Sequence, residues 1–385
     1  MFEFRSPGLI RFGQGVFGDL GAQAAGMGFK NVLIVCDAGI RKLGLADKAV
    51  DSLRAAGVNA AVFDGVDPEP LDRNVEAGLE AFRSAGAEAL VGLGGGSAID
   101  VAKAVGAMAR NPGKIADYAV GGKALTHPKA PVIAVPTTAG TGSEVTRFTI
   151  ITDTARDVKL LIGHPYITPE LALVDPLLTL TVPPLTTMAT GIDALTHALE
   201  AYISIRATPI SDLFALEAVR LISGNLRQAW ANGSNVPARQ AMMLGSLLAG
   251  LAFTNSSVAL VHGMARPIGA NFHVPHGLSN AVLLVECMRF SMIGAPQRFA
   301  DIAAAMGENT EGLSVMEAAY RAVDAIRDLC EDVGVPTICG LGVDREKFEA
   351  LAPKMAADGI ASGSPGNNPR KASAEEIVEL YKRCL

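Results

Sequence analysis

The stretch "VGLGGGSAIDVAK" (91–103) passes from an apolar run, through three glycines and a serine, into a helical pattern. Glycines let backbone N–H groups approach an anion closely, and a helix that starts there adds its partial positive charge. A strand, a glycine turn and a helix form the repeating unit of a parallel α/β sheet. Alone, the motif is neither the G-x-G-x-x-G fingerprint nor a Walker A loop, and a tight turn with Ser97 as a plain N-cap explains it as well.

The same rhythm continues on both sides. "NVLIVCD" (31–37), "AAVFDGV" (60–66), "PVIAVPTT" (131–138) and "LALVDP" (171–176) are short β-branched runs separated by helical patterns, which predicts βαβ units and a mostly parallel sheet. After Pro183 and Pro184 the texture changes to long Ala/Leu/Met-rich segments of helical period with hardly any strand signal. The expected fold class is therefore an α/β, Rossmann-like N-terminal domain over 1–182 and an all-α C-terminal domain over 183–385. Length agrees, because 385 residues exceed one ordinary core and suit two domains of roughly 150–200 residues.

Apolar residues make up 49% and charged residues 19%, enough to build two cores and too few charges for extended disorder. A net charge of −6 without any basic run excludes general attraction to nucleic acid or anionic lipid. "MFEFRSPGLIRFGQG" has no signal-peptide core, and the apolar run 241–253 is shorter than a bilayer span. No membrane partner is expected, and the location expected is cytoplasmic. Five cysteines, an odd number without Cys-x-x-Cys spacing, argue against disulfides and thiolate metal sites, so a metal here would use nitrogen and oxygen ligands.

A second loop, "VPTTAGTGSEVT" (135–146), follows a strand and offers the hydroxyls of Thr137, Thr138, Thr141 and Ser143. Asp37 ends the first strand, where a carboxylate can accept from a ribose diol and repel a 2′-phosphate, or cap the following helix. Three such features at strand ends favour a dinucleotide site, for NAD(H) rather than NADP(H). In the second half, "TTMATGIDALTHALEAY" (186–202) reads as a helix with Asp193 and His197 four apart on one face. "LVHGMARPIGANFHVPHGLSN" (260–280) carries His262, His273 and His276, three of the six histidines. Pro267 and Pro275 are expected to break this stretch, leaving His262 on a helix end and His276 in the loop that starts the next helix. A loop between them can fold both rings onto one ion, with a carboxylate oxygen from the Asp193 pair. Such ligation suits Fe(II), Zn(II), Mn(II) or Ni(II). Three histidines that hydrogen-bond in a crowded interior would explain the count but not the matched pair.

Together "GGGSAIDVAK", "PTTAGTGSEVT", "GIDALTHALEAY", "HGMARPIGANFHVPHG" and "NPRKAS" resemble, in order and spacing over nearly the whole chain, the iron-containing (group III metal-dependent) alcohol dehydrogenases. The resemblance implies the dehydroquinate synthase-like fold, with a cleft that holds NAD(P) and a divalent metal. It implies Asp193, His197, His262 and His276 as metal ligands, with Fe2+ the first expectation and Zn2+, Mn2+ or Ni2+ also suited. His273 then stands outside the ligand set as a candidate proton relay. Gly96 and Ser97 are implied at the pyrophosphate, and Thr137, Thr138 and Thr141 at the nicotinamide half. Lys159 falls at a cofactor-contacting lysine or is a solvated surface lysine. With Asp37, Glu69, Gly95 and Asp100 these form the candidate cofactor set.

Phe253 falls at an aromatic wall beside the nicotinamide or is a core phenylalanine, and Phe148 is a further pocket candidate. Two positions depart from the family's pattern. Arg266 stands where many members have a histidine, which unsettles the usual proton relay and leaves Arg266 either to orient a polar substrate or to pack on a helix C-terminus. Glu69 stands where many have asparagine, and a second carboxylate near the ribose would further disfavour NADP.

The expected activity is metal-dependent hydride transfer between nicotinamide and a small alcohol or diol, or the reverse reduction of an aldehyde. The alternatives are a glycerol dehydrogenase-like polyol oxidoreductase, whose relatives use fewer metal ligands, and a non-redox NAD- and metal-dependent sugar-phosphate cyclase, for which "PTTAGTGSEVT" and the apolar segment after it offer little of the basic lining needed. A homodimer or larger homo-oligomer is expected.

Overall fold

Strands that are apolar along their whole length, as those flanking the glycine loop are, must be covered on both faces. In a computed structural model of the chain, which describes residues 1–156 and 158–385, one compact unit spans Arg5–Leu180. Strands β1 (Leu9–Phe12), β2 (Asn31–Val35), β3 (Asn59–Phe63), β4 (Ala89–Gly94) and β5 (Val132–Pro136) are joined later in the chain by β6 (Phe148–Asp153), β7 (Val158–Gly163) and β8 (Leu171–Val174). Six of them form one sheet in the order β1-β8-β5-β4-β2-β3, with parallel pairing throughout. β6 and β7 pair separately as an antiparallel ribbon.

Helices α1 (Leu20–Gly26), α2 (Ala38–Lys42), α3 (Leu45–Ala55), α4 (Asp72–Ser84) and α5 (Gly96–Met108) complete this unit. Alternation along the strands divides its core. Val32, Ile34, Val91 and Leu93 face α1 and α3 through Leu20, Ala46 and Leu53. Leu33, Val35 and Leu90 face α4 and α5 through Val75, Phe82, Val101 and Val105. Each fully buried Leu, Ile or Val side chain contributes about 2 kcal/mol. β1 and the β6–β7 ribbon are strands that the hydrophobic rhythm did not reveal.

The second compact unit comprises Thr181–Leu385 and, from the N-terminus, Met1–Phe4. The chain therefore divides two residues before the expected boundary, and its first four residues belong with the helices, where Phe4 stacks on Phe214 at 5.5 Å between ring centroids. The helices are α6 (Pro184–Ile203), α7 (Pro209–Ala231), α8 (Val236–Ser256), α9 (Leu260–Phe272), α10 (His276–Met292), α11 (Pro296–Ala305), α12 (Val315–Asp332), α13 (Arg345–Ala361) and α14 (Ala374–Arg383). Pro184 at the start of α6 suits a helix whose first N–H has no partner. From Gly191 to Ile203 every residue of α6 is buried, and α7, α8 and α10 pack around it.

α8 is a correction to the short apolar run: at 21 residues it is long and apolar enough to cross a membrane by length and composition, and 61% of that window is buried inside the fold, as in a core helix. α9 is a second correction. Pro267 lies inside it rather than breaking it, and the close packing of Gly263 against Pro365, where an added Cβ would come within 2.5 Å, holds this turn in place. Pro275 is the N-cap of α10, so His276 is its first helical residue rather than a loop residue.

Candidate metal centre and nucleotide loops

In the α/β unit the chain moves outward from β2 to β3 on one side and then to β4 on the other. The strand order therefore reverses between β2 and β4, and open α/β sheets bind ligands outside the carboxyl ends of strands at such a point. Asp37 follows β2 and the glycine loop follows β4; an added Cβ on Gly94 would lie 3.7 Å from Asp37 Oδ2. Asp37 is the N-cap of α2, with Oδ1 accepting from Ile40 N at 3.0 Å. Its second oxygen has no hydrogen bond among the described residues and is free to accept from a ligand.

The glycine and threonine loops touch. Thr137 N donates to Gly94 O at 2.9 Å, and a Cβ on Gly96 would come within 2.8 Å of the Thr141 methyl, so only glycine allows this approach. Gly95 is the N-cap of α5, leaving Gly95, Gly96 and Ser97 half-buried at the positive end of a 13-residue helix. Ser97 Oγ donates to Pro68 O at 2.7 Å, and Thr137 is buried while Thr138 and Thr141 are partly open.

The carboxylate of Asp100 is turned into the protein, accepting from Ser143 Oγ and from Ile150 N at 2.8 Å. Beside it Lys103, with no exposed surface, donates to Ser143 Oγ at 3.0 Å, Thr146 Oγ1 at 3.1 Å and Phe148 O at 2.8 Å. Burial brings Lys103 down to about 8, against the opposing pull of Asp100 and Glu144. Asp100 and Lys103 thus tie the two loops to β6. Glu69 and Lys159 form an ion pair at 3.0 Å, and Thr152 Oγ1 also donates to Glu69 at 2.8 Å. A carboxylate held by a lysine repels a 2′-phosphate less than a bare one. Phe148 opens β6 half-buried, with the Arg147 guanidinium 5.4 Å from its ring centre.

In the helical unit α6, α9 and α10 bring Asp193, His262 and His276 together, with one donor atom from each within 4.8 Å of the others. Asp193 Oδ1 lies 3.7 Å from His262 Nε2 and 3.7 Å from His276 Nε2. His197 lies just beside this group: its Nδ1 is 4.0 Å from Asp193 Oδ2, and its ring stacks on His262 at 4.5 Å. Burial would raise the Asp193 pKa, but His197, His276 and His262 hold it well below the usual carboxylate range. His262 is raised, because its bonds to Asp193 and Glu200 outweigh burial.

The donor set fits a divalent cation. Oxygen and imidazole nitrogen without thiolate suit iron, zinc, manganese or nickel. Asn280 Nδ2 donates to Asp193 Oδ1 at 2.6 Å and lies 3.2 Å from both Nε2 atoms, while its own Oδ1 is buried without a hydrogen-bond partner among the described residues. Several lone pairs thus converge on one buried point that calls for positive charge.

Phe253 stacks on His197 at 4.2 Å and is half-buried, so it forms one wall of this centre. His273 closes α9 in the left-handed conformation, φ 55°, and is exposed outside the donor group. Arg266, one turn after His262, donates to Ser364 Oγ at 2.8 Å and has no carboxylate ion pair among the described residues. Sequence reading missed Asn280 and Glu200. Their signal is spacing: Asn280 follows His276 by four residues, and Glu200 follows His197 by three on the same helix face.

Residues 7–176 match the iron-containing alcohol dehydrogenase family model, and residues 187–385 match the model of that family's C-terminal domain. The chain belongs to the iron-containing alcohol dehydrogenase family. It is 45% identical to a 1,3-propanediol dehydrogenase of Citrobacter freundii, covering 100% of this chain and 99% of that one. It is 40% identical to an NAD-dependent methanol dehydrogenase of Bacillus methanolicus, with both chains covered completely. The crystal structure of a 1,3-propanediol oxidoreductase superposes with a TM-score of 0.96 at 44% identity, covering 100% of both chains. As an iron-containing alcohol dehydrogenase, the chain is an oxidoreductase of alcohols and aldehydes, and the cofactors of its family are NAD(H) and iron or another divalent metal.

Proposed function

We propose that this enzyme interconverts a small primary alcohol or diol with its aldehyde, using NAD(H) and a divalent metal, Fe2+ first, held by Asp193, His197, His262 and His276. The observation that carries the reading is the convergence of Asp193, His262 and His276 in the helical unit of a chain whose α/β unit sets Asp37 and the glycine loop at a reversal of strand order. The bound metal supplies Lewis-acid polarisation of a hydroxyl or carbonyl oxygen. The remaining work falls to the protein.

The N–H groups at the start of α5 hold the diphosphate, and the open oxygen of Asp37 accepts from the ribose diol. Phe253 and buried α6 exclude water from one side of the metal centre. Bound NAD(H) would supply the hydride donor or acceptor for the substrate carbon. Arg266 stays protonated at working pH and cannot carry the alcohol proton away, which leaves water, the ribose hydroxyls or His273 for that step. We further propose a cytoplasmic homodimer or larger homo-oligomer; the likeness to the propanediol and methanol enzymes supports a short alcohol or diol as substrate.

The test is the change in absorbance of reduced nicotinamide when anaerobically iron-loaded protein meets short alcohols, diols, hydroxy acids and their aldehydes. Turnover of short alcohols or diols with NAD(H) is expected. Absence of net redox with every compound, by protein shown to contain metal, would overturn the reading.

A further inference from the structure

Glu200 lies two turns along α6 from Asp193 and has no exposed surface. Its two oxygens accept from Ala259 N at 2.9 Å, Val261 N at 2.5 Å and His262 Nδ1 at 2.7 Å. Backbone N–H groups only donate, so three donors converge on one carboxylate, and His262 must carry its proton on Nδ1. The lone pair is then on Nε2, the atom that faces Asp193 at 3.7 Å.

We infer that Glu200 is a positioning residue for the metal: it selects the tautomer of His262 that can ligate, raises the basicity of Nε2, and fastens the ring to the first turn of α9. The inference rests on the proposed metal site. A histidine that donates its second ring N–H to a carboxylate is a better oriented and more basic ligand. The same carboxylate also holds two N–H groups at the start of α9, and an anion there is favoured by the helix dipole. Seating α9 and aiming His262 are therefore one act of one side chain. A capping role alone needs only the two backbone bonds and makes no demand on the ring. Glutamine cannot replace this arrangement, because it has one acceptor oxygen, and its NH2 group would face a donor wherever the oxygen is placed.

Metal-free wild type, Glu200→Gln, Glu200→Asp and His262→Ala are to be titrated with zinc against a chromophoric chelator, with circular dichroism and NAD binding as controls for folding. Glu200→Gln should weaken zinc binding by about 10–100-fold, and Glu200→Asp, which keeps the charge, should lose less. In zinc-loaded wild type, 15N-histidine spectra should show a proton on Nδ1 of His262, a readout that needs no variant. Wild-type zinc affinity in folded Glu200→Gln, or a bare Nδ1 in those spectra, overturns the inference. Full zinc retention by His262→Ala overturns instead the metal site on which it rests.

Discussion

Asp37 and Arg266 each have one side-chain bond that explains their place in the fold. Asp37 caps α2 with Oδ1, and serine caps nearly as well while it lacks the charge. Asp37→Ser should therefore keep the stability of wild type but weaken NAD binding by about tenfold, the scale of one charge-assisted hydrogen bond, and raise the NADP/NAD preference ratio. Asp37→Ala should shift the ratio equally and also lose about 1 kcal/mol of stability. Denaturant melts and Kd values for both nucleotides check this, and an unchanged ratio in the serine variant would leave Asp37 only a cap. Arg266 bonds a serine rather than a carboxylate, with Glu200 the one acidic group whose charge it feels, and we propose that it orients polar substrates. Arg266→Ala should raise KM about tenfold for hydroxy-acid or polyol substrates and leave butanol-like ones unaffected; equal effects on every substrate would assign it to anchoring the Ser364 loop.

Among the elements, the parallel strands were legible because burial on both faces makes them unbroken apolar runs. β1 was not, because its four residues include Arg11 and its partner β8 lies far along the chain; the β6–β7 ribbon has no turn signature of its own. The histidines and Asp193 stood out by residue type and spacing, whereas the role of Glu200 shows only in the packing that buries it against the start of α9. Glu144, near the end of the threonine loop, is another carboxylate whose burial the sequence does not show. It has 2% of its surface exposed, and burial pushes it from 4.5 up to about 7, against a backbone hydrogen bond and the pull of Lys103. Between those two values the folded chain holds a proton that the unfolded chain has lost, so this residue's contribution to stability falls as pH rises through that window. Glu144→Gln stays neutral and should flatten the decline. Urea melts should show the variant gaining stability on wild type from pH 4.5 to 7, and parallel curves would mean that Glu144 ionises freely.

For the whole molecule, the division at Leu180 and Thr181 separates the two chemistries: every proposed metal ligand belongs to the helical unit and every nucleotide loop to the α/β unit. The ligands come from α6, α9 and α10, so a bound ion cross-links three helices. Metal present at 100 to 1,000 times its Kd stabilises the form that binds it by about 3–4 kcal/mol. Chelation should therefore lower the unfolding temperature of the helical unit while leaving that of the α/β unit in place. His276→Ala removes one donor from the exposed side of the centre without touching Glu200 or the nucleotide loops. It should match chelated wild type in calorimetry, show no response to chelator, contain little metal by elemental analysis, and still bind NAD through the glycine loop and Asp37. If His276→Ala retained stoichiometric metal, the donor set would be wrong. If it lost metal and NAD together, the two units would be coupled through the ion, and the nucleotide site would depend on helices that supply none of its proposed contacts.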